Sequence, residues 1–553
     1  MMRFVLSLLI SALSAFAQTQ PTPPPAPPAG SISGVVKDAD SGAPIRDAEV
    51  GLRAGSKSIA ATTGADGRYK LSDVPPGEYR VAASTAHQGQ MGFGSSRMRQ
   101  VIVGPGQEVT GFDFPLTVFA KIAGKVVDEN KEPIPDMSVI AIAREYRLGA
   151  LRYVFTSGVG RTNDRGEYAI DRIQPGRPIL LMAMRRDLKL NAISDAPADP
   201  KLRKRASVPT FYPDSTAPEG GQLVALRSGE VRPGMDFRLH RSPSYCLEGV
   251  LLASGGPAAL AFWIEDRQPA SGRSGDGGTY MAMPSGKTAP DGKFRICDLH
   301  PGDYRLTAYT DQSSRDVLPP FFGATILTVT DQDVPDLRIQ ASPKTPLAVE
   351  VAWDGAAPAE PVNAKVRLFL QPAYRAFING EARGPAPSAA IPGEISIPEM
   401  VVDDYELEVL GVPSSLYVKD IAYGGNSILH KLFRPGPQKL RVTIGQDGGY
   451  IAAQVKDKDG APVGDTNITI LTESSAPDPE YAALILSGRT NQLGRYRSGP
   501  LAPGKYYVLA SGVANDNTPE MVANLRRART KAKEVEVKPG ATVQAELELI
   551  AVD

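Results

Sequence analysis

The chain has 553 residues, too many for one hydrophobic core, so several domains are expected. Lys plus Arg equals Asp plus Glu at 61 each, which leaves no net field to recruit nucleic acid or an anionic membrane. Gly and Pro number 54 and 49 without a collagen period, the composition of short strands joined by tight turns.

The first 17 residues read as a secretory signal peptide. Arg3 supplies the positive start, Phe4 to Leu13 the apolar stretch, and Ala15-Phe16-Ala17 a small-x-small cleavage site before Gln18. Residues 18–30, "QTQPTPPPAPPAG", form a Pro-rich extended linker. No later segment is long and apolar enough for a membrane span. The chain is therefore expected to be exported, to the periplasm, the cell surface or the medium.

A glycine-x-aromatic triplet then recurs as Gly67-Arg68-Tyr69, Gly166-Glu167-Tyr168, Gly292-Lys293-Phe294 and Gly494-Arg495-Tyr496. Eight residues after each aromatic comes a glycine preceded by proline: Gly77, Gly176, Gly302 and Gly504. A worn copy starts at Gly393-Glu394-Ile395 and has Asp403 where that second glycine belongs. The first glycines are separated by 99, 126, 101 and 101 residues, a period that means tandem globular domains. Each copy predicts a hairpin with glycine at positive φ, an alternating strand, a Pro-Gly type II turn and a second alternating strand. Stretches such as "SISGVVKDADSGAPIRDAEVGLRAG" before, and "RQVIVGPGQEVTGFDFPL" after, add further strands. About seven short strands per hundred residues is the signature of a β-sandwich.

The pattern G-x-V-x-D, G-x-P-[IV]-x-D-A-x-V, D-G-x-[YF]-x-[IL], [PL]-P-G-x-Y-x-[LV] resembles the carboxypeptidase regulatory-like domain. Gly34-Val35-Val36 through Tyr79-Arg80-Val81 carries it most clearly. The resemblance implies a transthyretin-like sandwich of the wider carbohydrate-binding-like fold group. The expectation is an all-β tandem array of five transthyretin-like or immunoglobulin-like sandwiches. Their ranges are 31–117, 118–241 with a loop insertion, 242–342, a degenerate 343–444 and 445–553.

The copies differ in their loops. In the insertion, Lys201, Arg203, Lys204 and Arg205 stand beside Phe211-Tyr212-Pro213 and read as a solvated loop held by an aromatic tuck. "RQPASGRSGDGG" reads as a loop, and "PEMVANLRRARTKAKE" as a short helix with a solvated basic end at Arg526, Arg527, Arg529, Lys531 and Lys533. Cys246 and Cys297 both fall in the third copy and are read as a disulfide of an exported protein.

The search for chemistry finds little. Three residues after His87, His240, His300 and His430 stand Gln90, Pro243, Asp303 and Phe433, so no H-x-x-E zinc motif exists. "SGKT" at Ser285 to Thr288 lacks the leading glycine and the following helix of a phosphate loop. Asp38 with Asp40, and Asp457 with Asp459, lie in hairpin turns, where aspartate caps backbone N–H groups without calcium. No catalytic, metal or cofactor residues are assigned. Phe262 and Trp263 are adjacent strand residues and point to opposite faces, so one of them is a candidate ligand-facing aromatic.

The functional expectation is a non-enzymatic binding or scaffold protein of the bacterial envelope. Alternatives are carbohydrate recognition through Trp263, with a polysaccharide as partner, and an accessory role beside an outer-membrane transport or secretion system. Partners are then a polysaccharide or an envelope protein, not nucleic acid.

Overall fold

A computed structural model describes residues 27–85, 96–147, 150–185, 193–266, 285–310, 321–359, 362–372, 387–472, 486–512 and 517–550. The signal peptide, most of the linker, His87 and the "RQPASGRSGDGG" loop lie outside the described residues. Strands dominate, and one α-helix is described, Pro519–Ala528. Among the described residues no helix is long and apolar enough to cross a membrane.

The strands close around five large hydrophobic cores in chain order. The first shows the construction. Strands Arg68–Val74 and Gly30–Asp38, with Glu108–Val109 and Phe114–Leu116, form one sheet. Lys57–Thr62, Ala48–Ala54, Gly77–Thr85 and Ser96–Val103 form the sheet that faces it. Ile32, Leu71, Val50 and Val81, each 0–1% exposed, meet between the two. Alternation along each strand puts these residues on one face, and an apolar side chain of this kind contributes about 1.5–3 kcal/mol on burial.

Each unit ends with a strand lying parallel to its first. Ser31 pairs with Glu108, Lys121 with Val231, Gly249 with Leu337, Val349 with Leu440 and Tyr450 with Thr542. Parallel neighbours cannot be joined by a hairpin, so the chain between them must cross to the other sheet and return.

The recurring triplet glycines have one physical cause. Gly67, Gly166, Gly292 and Gly494 have φ of 70°, 69°, 74° and 69°, where a side chain is strained. A Cβ on any of them would come within 2.5–2.6 Å of a backbone carbonyl of the first strand of its unit. The second glycines behave differently. A type II turn expects positive φ, yet Gly77 and Gly302 lie at the start of strands and lack it, while Gly176 has φ 81°. The reason at Gly77 and Gly302 is the tyrosine two residues on. Tyr79 and Tyr304 donate to the carbonyls of Pro75 and His300, each at 2.8 Å, and the ring crosses the glycine. Tyr506 makes the same bond to Ala502.

A buried threonine completes the repeat. Thr63, Thr162, Thr288 and Thr490 each stand four residues before the triplet glycine. Thr63 Oγ1 donates to Ile45 O at 2.8 Å and accepts from Ala48 N–H at 2.9 Å. Thr162 does the same between Ile134 and Met137, and Thr490 between Val463 and Thr466. Thr288 serves Ala258 and Leu260, so the SGKT threonine is a strand tie. The fourth copy has Ala389 at this position.

Three units bury both faces of a sheet. In the second, Val139, Ala141, Leu181 and Ala183 line the main core, while Ile140, Ile142, Leu180 and Met182 pack beneath Phe211 of the insertion. In the fifth, Leu471 and Leu509 lie under Met521, Val522 and Leu525 of the helix. The third does so at Ala261–Asp266, where Phe262 and Trp263 are both buried. This is why "MSVIAIA" and "ILLMAM" read as continuous apolar runs rather than alternating ones.

Replacing Thr63 by Val leaves the Ala48 N–H and the Ile45 carbonyl without a partner, at about 2 kcal/mol. The expected result is an Ala48 amide exchanging about 30-fold faster, read by native-state hydrogen exchange.

Candidate functional site

The recurring threonines and tyrosines are bonded within their own unit, so the individuality of the chain lies in its other polar side chains. Most of the buried charged ones lie where units meet.

At the first junction, Ser228 N–H donates to Asp40 Oδ2 at 2.6 Å, and Ser228 Oγ bonds Asp38 Oδ2. Asp38 also accepts from the N–H groups of Asp40 and Ser41. Desolvation raises its carboxyl, and the hydrogen bonds from Ser228, Ser41 and Asp40 outweigh it, holding it below the ordinary value. Asp457 likewise accepts from Asp459 and Ala461 N–H. Both acid pairs thus cap turns.

At the second junction the insertion departs from its reading as a solvated loop. Arg203 is 1% exposed and forks onto Asp333 of the third unit at 2.6 and 2.7 Å. It also donates to the carbonyls of Pro197 and Ala198. A guanidinium can be buried there because a carboxylate and backbone acceptors take its donors. Lys201, Lys204 and Arg205 stay exposed. The hydrogen bond from Arg203 holds the Asp333 carboxyl below its ordinary value, assisted by Cys246 N–H. Cys246 and Cys297 are joined by a disulfide between adjacent strands.

At the third junction, Arg305 donates to Asp403 at 2.7 Å, and both side chains are 6% exposed. Asp403 is the residue that replaces the repeat glycine in the degenerate copy. The fourth unit has its own core and two sheets, so the departure serves the neighbour rather than marking a broken fold. At the fourth, Tyr417 Oη donates to Asp447 at 2.8 Å.

Phe262 and Trp263 are 0% and 4% exposed, so neither ring faces solvent as the sugar-platform reading required. Phe262 enters the third core beside Phe294. Trp263 lies on the opposite face, opposite Thr307 on the next strand, with its ring 4.7 Å from that of Tyr309. Among the described residues, Trp263 Nε1 and Thr307 Oγ1 are buried without a hydrogen-bond partner. The described histidines, His240, His300 and His430, lie in different units. His240 and His300 contact the carbonyls of Asp214 and Pro301, and burial lowers the pKa of His430. Among the described residues no group of three or more His, Cys, Asp or Glu could hold a metal ion. Arg526 and Arg527 are exposed at the helix end.

The comparisons with known proteins bear on the first unit. Residues 31–117 match the family model of the carboxypeptidase regulatory-like domain. This unit carries the whole repeat: Gly67 at positive φ, the Thr63 tie and the Tyr79 bond to Pro75. No curated protein matches the sequence. Among solved structures, the Bacillus anthracis TIE protein is 13% identical, with 78% of this chain and 74% of that one covered, at a TM-score of 0.14. A streptococcal ancillary pilin is 11% identical over 55% of this chain and 98% of its own, at 0.18. BcpA, the major pilin subunit of Bacillus cereus, is 11% identical over 57% and 99%, at 0.15.

Sequence reasoning located the glycines and cysteines but not the junction pairs. The threonine ties were visible as a fixed offset in "TTGADG", "RTNDRG", "KTAPDG" and "RTNQLG". Arg203 and Arg305 had no such signal, because their partners lie 130 and 98 residues away.

Replacing Asp403 by Asn removes one carboxylate from the buried Arg305, at a cost on the order of 1–3 kcal/mol. A lowered urea midpoint for the third and fourth units is expected. Asp404→Asn, at the exposed pair with Arg434, should stay within about 0.5 kcal/mol of wild type. The Asp333 value is depressed in the folded state. Its contribution is therefore present above about pH 3.9, the ordinary carboxylate value, and lost as pH falls through the depressed one. Melting scans between pH 5 and 2 should show this loss, and Arg203→Met should reduce it.

Proposed function

We propose that the chain is a non-catalytic, exported scaffold protein of the bacterial envelope, built from units 31–117, 118–241, 242–342, 343–444 and 445–553. The observation that carries this reading is the destination of the polar side chains. Recurring threonines and tyrosines are bonded to the backbone of their own unit. The buried charges specific to one unit form pairs that join neighbours, Arg203 with Asp333 and Arg305 with Asp403. Side chains used this way set the spacing and orientation of units, and the partner is an envelope protein met by the variable loops.

Carbohydrate recognition is the second reading. Trp263 Nε1 and Thr307 Oγ1, without a hydrogen-bond partner among the described residues and on one sheet face beside Tyr309, favour it. Its weakness is that Trp263 would have to be uncovered before a sugar could stack on it.

The test places the mature chain on an array of oligosaccharides and polysaccharides, with photocross-linking in intact cells alongside. The scaffold reading expects no saturable glycan binding and a reproducible cross-link from exposed loops to one envelope protein. Saturable glycan binding that disappears in Trp263→Ala replaces it with the carbohydrate reading. A cross-link to an outer-membrane transporter assigns the accessory role.

A further inference from the structure

The first and last units touch. Asp465, in the fifth unit, accepts from Arg97 Nη2 of the first at 2.8 Å, and Arg99 Nε lies 3.4 Å from the same oxygen. Arg489 donates to its other oxygen at 2.6 Å. The Arg99 guanidinium also lies 4.3 Å over the Phe112 ring. Close by, Gln492 accepts from Ile102 N–H at 3.2 Å and donates to Ile102 O at 2.9 Å.

Ile102 belongs to Ser96–Val103, the edge strand of its sheet. An open edge presents unpaired N–H and C=O groups, a template for another strand. The Gln492 amide bonds both groups of one residue, as a neighbouring strand would. The fifth unit also holds the second, through Arg144 with Glu520 at 2.5 Å and Tyr146 N–H to Asn517 O at 2.8 Å. With the four junctions above, the array closes on itself.

The sandwich fold does not demand this contact. Asp465 has φ 55°, and its counterparts Asp47 and Asp136 have φ 56° and 60° in the same motif. Their side chains are 70% and 74% exposed, against 12% for Asp465. Where unit five has Gln492, two residues before the triplet glycine, the first three units have Ala65, Asp164 and Pro290. Acid and amide are thus shaped for Arg97, Arg99 and Ile102.

We propose that this contact is an interaction surface the chain can also offer to a second copy of itself, with the fifth unit of one chain seated on the Ser96–Val103 edge of another. The two faces differ, so the contact is heterologous: it closes within one chain or links chains head to tail. Tethering makes the internal contact the favoured one in dilute solution, and exchange between chains follows once the latch is released at high concentration.

A charge-swap mixture tests this. One chain carries R97D and R99D, the other D465R. Alone, each sets like charges across the contact, within a chain or between its own copies. Mixed, opposite charges meet at both contacts of a reciprocal pair. Each variant alone should be a monomer with a larger radius of gyration than wild type and a fast-exchanging Ile102 amide. The mixture should double in mass by light scattering and regain Ile102 protection. Wild-type dimensions in the single variants overturn the latch. Expanded chains that stay monomeric on mixing overturn the second copy as its occupant. D465R places a cation beside Arg489 and could unfold its unit, so Q492A serves as the neutral variant. Unchanged Ile102 exchange in Q492A also overturns the latch.

Discussion

The parallel pairing of first and last strands is the constraint on which each unit rests. It requires the intervening chain to visit both sheets, and so it sets where the hairpins must fall. The triplet glycine sits where its hairpin passes over the first strand, with its own carbonyl accepting from that strand: Val36 N–H to Gly67 O, Val126 to Gly166, Leu251 to Gly292, Val455 to Gly494, at 2.8–2.9 Å. No Cβ fits at that crossing. The threonine tie, four residues earlier, satisfies backbone groups that the same crossing would leave buried and unpaired.

Individuality arises on the outer faces. A two-sheet sandwich covers only the inner face of each sheet, and an apolar outer face needs a lid. The second unit uses its insertion, through Phe211, and the fifth uses its helix. These additions also reach neighbours, as Arg203 of the insertion does to Asp333 and Glu520 of the helix to Arg144. Covering a face and joining a unit are thus done by the same segments. Charged junctions of this kind favour one arrangement over others, since a mispaired buried charge is costly.

Legibility in the sequence followed the range of the interaction. The Gly67 class is set by a local conformation and stands out as a repeat. The tyrosines at 79, 304 and 506 act over four residues and are equally visible, although their bond, not a type II turn, explains Gly77 and Gly302. Trp263 is the opposite case. Strand alternation correctly placed it opposite Phe262, but alternation says nothing of what lies over the outer face, and that face is buried. Asp403 read as decay of the repeat because its partner, Arg305, belongs to another copy.

By itself, then, the sequence determined the all-β class and the hairpin glycines of the Gly67 class, because both are written in residues a few positions apart. The docking of the fifth unit on the first was decided only by the tertiary structure. Arg97 and Asp465 are 368 residues apart, and Asp465 stands on a motif shared with units that make no such contact. Their pairing is a property of how whole sandwiches meet, which no local pattern encodes.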